Sequence, residues 1–123
     1  MTSEFWNRAQ ENLKAAEILL DNGLLNAAAN RAYYAAYHAA AALIEAKGLE
    51  YNSDHRKVQA VFNGEILRRS KNLPGELRGY LATMHDVRAI ADYTKKEVSK
   101  RMANEQVKKA QYFLSCIAKD LTL

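Results

Sequence analysis

Apolar positions recur along most of this chain with the period of an α-helix. Trp6, Ala9, Leu13, Ala16 and Leu20 stand at alternating steps of three and four, which predicts a helix from about Ser3 to Asp21 with one core-facing stripe. Asn22-Gly23 supplies residues tolerant of a left-handed turn and ends that helix, and a second is predicted from about Leu24 to Lys47, closed by Gly48. So short a link makes the two antiparallel neighbours. Ala28, Ala32, Ala35, Ala39 and Ala42 form a small-residue stripe on the second helix, which lets other backbones approach it closely and places it at the centre of a bundle.

Further along, Ser53 or Asp54 is positioned to cap a third helix that carries Val58, Val61, Phe62 and Ile66 and continues to about Arg69, with Asn63-Gly64 as a weak point in its middle. Pro74 suits the first turn of a fourth helix running to about Tyr93, because the N–H it lacks would be unpaired there. A short polar stretch from Thr94 leads to Ser99, a cap for a last helix with Ala103, Val107, Ala110, Leu114, Ile117 and Leu121 on one face. The pattern predicts an all-α fold, an antiparallel up-and-down helical bundle of four long helices plus one shorter helix, in one domain over residues 1–123.

Composition agrees with this pattern: one proline and five glycines leave few breakers, and 49% hydrophobic with 26% charged residues is ordinary for a folded domain. The lone Cys116 cannot close an intramolecular disulfide, and no CxxC or Cys/His cluster is spaced to hold a metal. No cofactor motif occurs either. The longest uninterrupted apolar run, Ala39 to Ile44, is far too short for a bilayer, and the first residues lack an apolar signal core, so a soluble cytoplasmic protein is expected, with no membrane contact. Charge is uneven: residues 1–53 carry four Lys/Arg against six Asp/Glu, while residues 54–123 carry fourteen against eight. The basic part is expected to attract polyanions such as RNA or a nucleotide, or an acidic partner.

Two polar stripes interrupt the helical pattern. Arg31, Tyr34 and His38 share a face of the second helix, and His85, Arg88 and Asp92 share a face of the fourth. Arg88 also falls in the apolar register of Leu77, Leu81, Met84 and Ala91, so packing should draw it inward and Asp92, one turn on, should compensate it. Simpler roles exist for each group: Arg88 and Asp92 as a helix-stabilising pair, Tyr33, Tyr34 and Tyr37 as groove fillers, His38 as a half-buried hydrogen-bonded residue, Cys116 as packing. His55, beside Arg56 and Lys57, reads as surface.

The segments NRAYYAAYHAAAALIEAKG on the second helix, MHDVRAIADY on the fourth and VKKAQYFLSCI on the last together resemble the HEPN family, more narrowly its small, stand-alone, uncharacterised members. The resemblance covers nearly the whole chain. It implies an antiparallel bundle that dimerises, a homodimer here, and a two-component, toxin–antitoxin-like pairing with a minimal nucleotidyltransferase. Active members of the family are metal-independent endoribonucleases with an Arg-x4-6-His motif on a late helix, completed across the dimer. Arg88 matches the arginine, but no histidine follows it anywhere downstream. Arg31 and His38 satisfy Arg-x6-His on the second helix instead. The resemblance therefore implies a subunit that binds its partner and an RNA or nucleotide, with a ribonuclease toxin or a purely structural dimer as alternatives. Arg88, His85 and His38 are the candidate catalytic groups; Arg31, Tyr34, Asp92, Tyr93, Lys95 and Lys96 are the candidate binding groups. Some toxins of this kind carry a tyrosine that the partner modifies, and Tyr93 is the candidate here.

Overall fold

The computed structural model describes residues 3–121. Their elements are α1 (Glu4–Asp21), α2 (Leu25–Ala46), α3 (His55–Val61), a π turn (Phe62–Ile66), α4 (Leu67–Arg69), a 3-10 turn (Gly75–Gly79), α5 (Tyr80–Tyr93) and α6 (Lys100–Asp120). No strand occurs among the described residues, so the fold is all-α as expected.

Local chemistry sets the ends of these helices. Ser3 and Ser99 each accept a hydrogen bond at 3.1 Å from a backbone N–H in the first turn, Trp6 and Met102 respectively. α1 and α2 both close on a glycine at φ +72°. Leu24 N–H then reaches Leu19 C=O at 2.9 Å, and Leu49 N–H reaches Ile44 C=O at 3.1 Å, so both ends pair otherwise orphaned carbonyls. Asp54, rather than Ser53, caps α3, accepting from Arg56 N–H at 2.9 Å.

The third predicted helix is one rod over residues 55–69 with a π turn at its centre. Leu67 N–H bonds Phe62 C=O, five residues back. That extra residue shifts the register so that Val58, Phe62, Ile66 and Leu67 are all buried, which a regular α-helix would not align. The turn falls on Asn63-Gly64, the weak helix formers noted in the sequence. The fourth helix also opens differently from the expectation: Pro74 is extended and precedes a 3-10 turn, and the α-helix proper begins at Tyr80. Gly75 and Gly79 favour the tighter turn, which still buries Leu77.

Around α2 the alanine stripe does what its size allows. Ala28, Ala32, Ala35 and Ala39 are fully buried, and α1, α3, α5 and α6 all pack on this helix. Larger core residues from the rest of the chain, among them Phe62, Leu77, Met84, Phe113 and Ile117, join Tyr33, Leu43 and Ile44 of α2 itself. Asn12 meets Arg31 and Phe5 meets His38, so α1 runs antiparallel to α2. Tyr34 meets Arg88 and Asn30 meets Asp92, so α5 does too. By contrast α6 runs in the same sense as α2. Val98 N–H, just ahead of it, donates to Asn26 at 2.9 Å, and Asp120 at its end pairs with Lys47 at 3.1 Å.

The connection over residues 47–54 positions the site. It returns along α2 with Tyr51 against Phe5 and Tyr37, and it delivers His55 to the middle of α2 before the next rod descends again.

Candidate functional site

Tyr33, Tyr34 and Tyr37 lie within little more than one turn of α2, and the residues of chemical interest gather around them. Tyr33 and Tyr37 are buried, filling the grooves to α3 and α5, and burial is the main reason both phenols titrate well above their ordinary range. They remain protonated hydrogen-bonding groups. Tyr37 Oη lies 2.8 Å from Tyr51 Oη and donates to Ser53 C=O at 3.1 Å, fastening the returning segment to α2.

Arg88 reaches this cluster from α5. Its side chain is only 12% exposed, as the apolar register of its neighbours required. One terminal nitrogen, Nη2, donates to Tyr34 Oη at 3.0 Å and to Tyr93 Oη at 3.1 Å. Nε stands 3.0 Å from Asp92 Oδ2, off the line of its N–H, so that contact is an ion pair rather than an aligned hydrogen bond. The guanidinium carbon lies 5.3 Å from the ring centres of both Tyr34 and Tyr93 and 5.8 Å from that of Tyr33, within reach of the rings' negative faces. The other terminal nitrogen, Nη1, has no hydrogen-bond partner among the described residues.

A chain of amides links this arginine to the second one. Asp92 Oδ2 accepts from Asn30 Nδ2 at 2.8 Å, Asn30 Oδ1 accepts from Arg31 Nε at 2.8 Å and from its Nη2, and Arg31 Nη1 donates to Asn12 at 2.9 Å. Arg31 lies over the Tyr34 ring at 5.0 Å. The relay ties α1, α2 and α5 together and holds Asp92 against Arg88.

The three histidines divide. His85, one turn before Arg88, meets the Tyr33 ring edge-on at 5.3 Å. His55 is half-buried rather than on the surface, contrary to the reading from its charged neighbours. Its Nδ1 is hydrogen-bonded to Tyr33 Oη, it stacks on Tyr37 at 4.7 Å, and its ring centre is 5.5 Å from that of His85. Burial, then His85, then Arg88 lower its pKa, outweighing the opposing pull of Asp54. His38 is on the other side of Tyr34, facing α1. Its ring packs against Phe5, Tyr34 and Tyr37, and Nδ1 lies 2.9 Å from Tyr34 C=O. Burial lowers its pKa first, the Tyr34 carbonyl opposes this, and Arg8 and Arg31 add to the lowering. Among the described residues it touches neither Arg88 nor His85, and it joins them only indirectly, through Tyr34 and Tyr37.

Of the residues singled out in the sequence, Arg31, Tyr34, His85, Arg88, Asp92 and Tyr93 therefore come together. Lys95 and Lys96 follow the end of α5 and are exposed. Tyr33 fills a groove as expected and also joins the assembly, His55 was read as surface, and Asn30 and Asn12 were not singled out, because the neighbours of each are decided only by the tertiary fold. Among the described residues no group of three His, Cys, Asp or Glu is placed to hold a metal ion, and no helix is long and apolar enough to cross a membrane.

Such a fold and site define a small helical module with a half-buried arginine ringed by tyrosines and histidines. The chain belongs to the HEPN domain family, whose model matches residues 2–121. It is 37% identical over 118 residues to a UPF0332 protein of Thermotoga maritima, covering 94% of this chain and 88% of that one. It is 34% identical over 114 residues to a Methanocaldococcus jannaschii protein named "Putative toxin MJ0605", covering 92% and 83%. A UPF0332 protein of Gloeobacter violaceus is 32% identical over 90 residues, 73% of this chain and 70% of that one.

Proposed function

We propose that this chain is the toxin-like half of a two-component pair: a homodimeric HEPN subunit that binds a minimal nucleotidyltransferase and, through Arg88, the phosphate of an RNA or nucleotide. The observation that carries the reading is the state of Arg88. It is oriented by Asp92, Tyr34 and Tyr93, yet Nη1 is left unpaired, and Tyr93 beside it is 72% exposed. The unpaired edge leaves the guanidinium fork able to take an oxyanion. Family membership and the toxin name of one relative support the toxin-like role. Lys95 and Lys96 extend the positive surface past the end of α5, where a polyanion leaving Arg88 would meet them.

A second reading, a metal-independent endoribonuclease, is favoured by the proximity of His85 and His55 to Arg88, since imidazoles can move protons while a guanidinium stabilises a phosphorane.

Expression of the chain alone, and together with a nucleotidyltransferase encoded beside it, tests the first reading. The expected result is slowed growth with the chain alone, relief and co-purification with the partner, and loss of the growth effect in Arg88→Lys, which keeps the charge but not the planar fork, with the variant still folded. Absence of any growth effect together with failure to co-purify would overturn it. RNA cut by the purified chain in excess chelator, and spared by His85→Gln, would establish the second.

A further inference from the structure

We propose that His55, His85 and the unpaired Nη1 edge of Arg88 form a binding site for a phosphate monoester dianion. The proposal rests on the functional reading above only in that Arg88 serves both.

The geometry is that of donors disposed around one platform. Tyr33 is the floor: His55 stacks on it at 5.6 Å, His85 meets it edge-on at 5.3 Å, and the Arg88 guanidinium carbon is 5.8 Å from its centre. The two imidazoles come from different elements, α3 and α5, and stand 5.5 Å apart, tilted at 49°. Nδ1 of His55 is taken by Tyr33 Oη, which fixes the ring and leaves Nε2 at its far side. Neither nitrogen of His85 has a hydrogen-bond partner among the described residues. Three polar edges from two elements thus share one platform without acceptors of their own.

Charge selects the ligand. The carboxylates nearby are already engaged or turned outward. Asp92 pairs with Arg88 and accepts from Asn30, Asp54 is exposed and accepts from the backbone at the start of α3, and Asp86, next to His85, is exposed. On the floor and walls Tyr33, Tyr34 and Tyr37 contribute neutral phenols. With both imidazoles protonated, the positive charges of His55, His85 and Arg88 exceed the negative charge of Asp92 by two, and Arg31, over the Tyr34 ring and joined to Asp92 through Asn30, adds to the positive field, so a monoester dianion is held more strongly than a diester monoanion. The exposed carboxylates act through solvent and are largely screened.

Binding is then coupled to proton uptake. In the empty site burial and the neighbouring His85 and Arg88 disfavour the charged form of His55. An oxyanion held at the outer edges of both rings reverses that balance, since an opposite charge at close range favours the imidazolium. Affinity should therefore rise as pH falls until the ligand's own second proton is taken up near about pH 6, and the Arg88 fork should supply the part that does not depend on the imidazoles.

The test uses the isolated full chain with inorganic phosphate, 5′-AMP and cyclic 3′,5′-AMP, followed through the histidine ring signals by NMR. At about pH 6, His55 and His85 should shift with phosphate and with 5′-AMP but not with the cyclic diester, and binding should weaken at least about tenfold by about pH 8. Equal affinity for phosphate and 5′-AMP assigns recognition to the phosphate alone, and a preference for 5′-AMP assigns a nucleotide. Both results support the site. His55→Asn keeps a polar partner for Tyr33 and should still fold. It and His85→Gln should each weaken binding and flatten its pH dependence, whereas Lys71→Gln, a generic surface charge change, should do neither. Unmoved ring signals at about 10 mM phosphate, where even millimolar affinity would register, would overturn the proposal. So would equal binding of the cyclic diester, or binding unchanged between the two pH values. Growth and co-purification do not enter this titration, so it can fail while the functional reading stands, and the reverse.

Discussion

Separating Arg88 from Asp92 measures how much of the site is also scaffold. The side chains are 12% and 26% exposed, so the pair lies between a fully buried one, whose disruption costs about 3–5 kcal/mol, and a surface one worth about 0.2–1 kcal/mol. Arg88→Met keeps the aliphatic stem but removes the ion pair at 3.0 Å and the donors to Tyr34 and Tyr93 at 3.0 and 3.1 Å. Both hydroxyls are left beside the site opening, where water can replace the lost donor, so a cost of about 2 kcal/mol is expected. Asp92→Asn keeps an acceptor for Asn30 and leaves Arg88 its two hydroxyls, and it should cost less, about 1 kcal/mol. For a chain of this size 2 kcal/mol corresponds to a fall in melting temperature of roughly 8 °C. Urea denaturation of wild type, both single variants and the double variant closes a thermodynamic cycle. Its coupling should be about 1 kcal/mol, with the denaturant slope unchanged. A coupling below about 0.3 kcal/mol, the scatter expected for independent sites, would refute the argument that Asp92 holds Arg88.

Stability should fall on acidification because His38 and His55 both have folded pKa values below the ordinary 6.5. The unfolded chain then binds more protons as pH drops through that value, so their contribution is fully present above about pH 6.5 and is lost as pH falls toward the folded values. Urea midpoints should drop between about pH 7.5 and about pH 5.5, and His55→Asn should lessen the drop; a midpoint rising over this range would contradict the sign. Asp54, lowered from 3.8 by its backbone hydrogen bonds, acts in a more acidic window. The Lys47–Asp120 pair should respond asymmetrically: the Asp120 side chain is 3% exposed and Lys47 is 45% exposed, at 3.1 Å. Lys47→Ala strands a buried carboxylate that, among the described residues, is otherwise held by Ser70 alone, and should cost about 2 kcal/mol, while Asp120→Ala frees a lysine into water for about 1 kcal/mol or less. Equal denaturation midpoints for the two variants would count against this account.

Helix number, helix faces and most helix ends were legible in the sequence because they depend on local causes. A stripe at steps of three and four buries itself wherever it packs, Ser3 and Ser99 cap the turns that follow them, and Gly23 and Gly48 accept the positive φ that ends α1 and α2. The inward pull on Arg88 and its pairing with Asp92 were legible for the same reason, since both residues share one helix face. Departures began where a local preference competed with burial. The regular third helix gave way to a π turn that aligns Phe62, Ile66 and Leu67 with the core, and the glycines after Pro74 yielded a 3-10 turn before α5. His55 was the largest departure. Its charged neighbours describe an exposed helix start, and only the return of residues 47–54 along α2, fastened by Tyr51 and Tyr37, carries its ring to Tyr33 and His85. The same fold turns His38 toward α1 and away from Arg88, although the spacing of Arg31 and His38 had made it a candidate. Spacing within a helix states which residues share a face. Which face meets which is decided by the packing of whole helices, and the site lies at such a meeting.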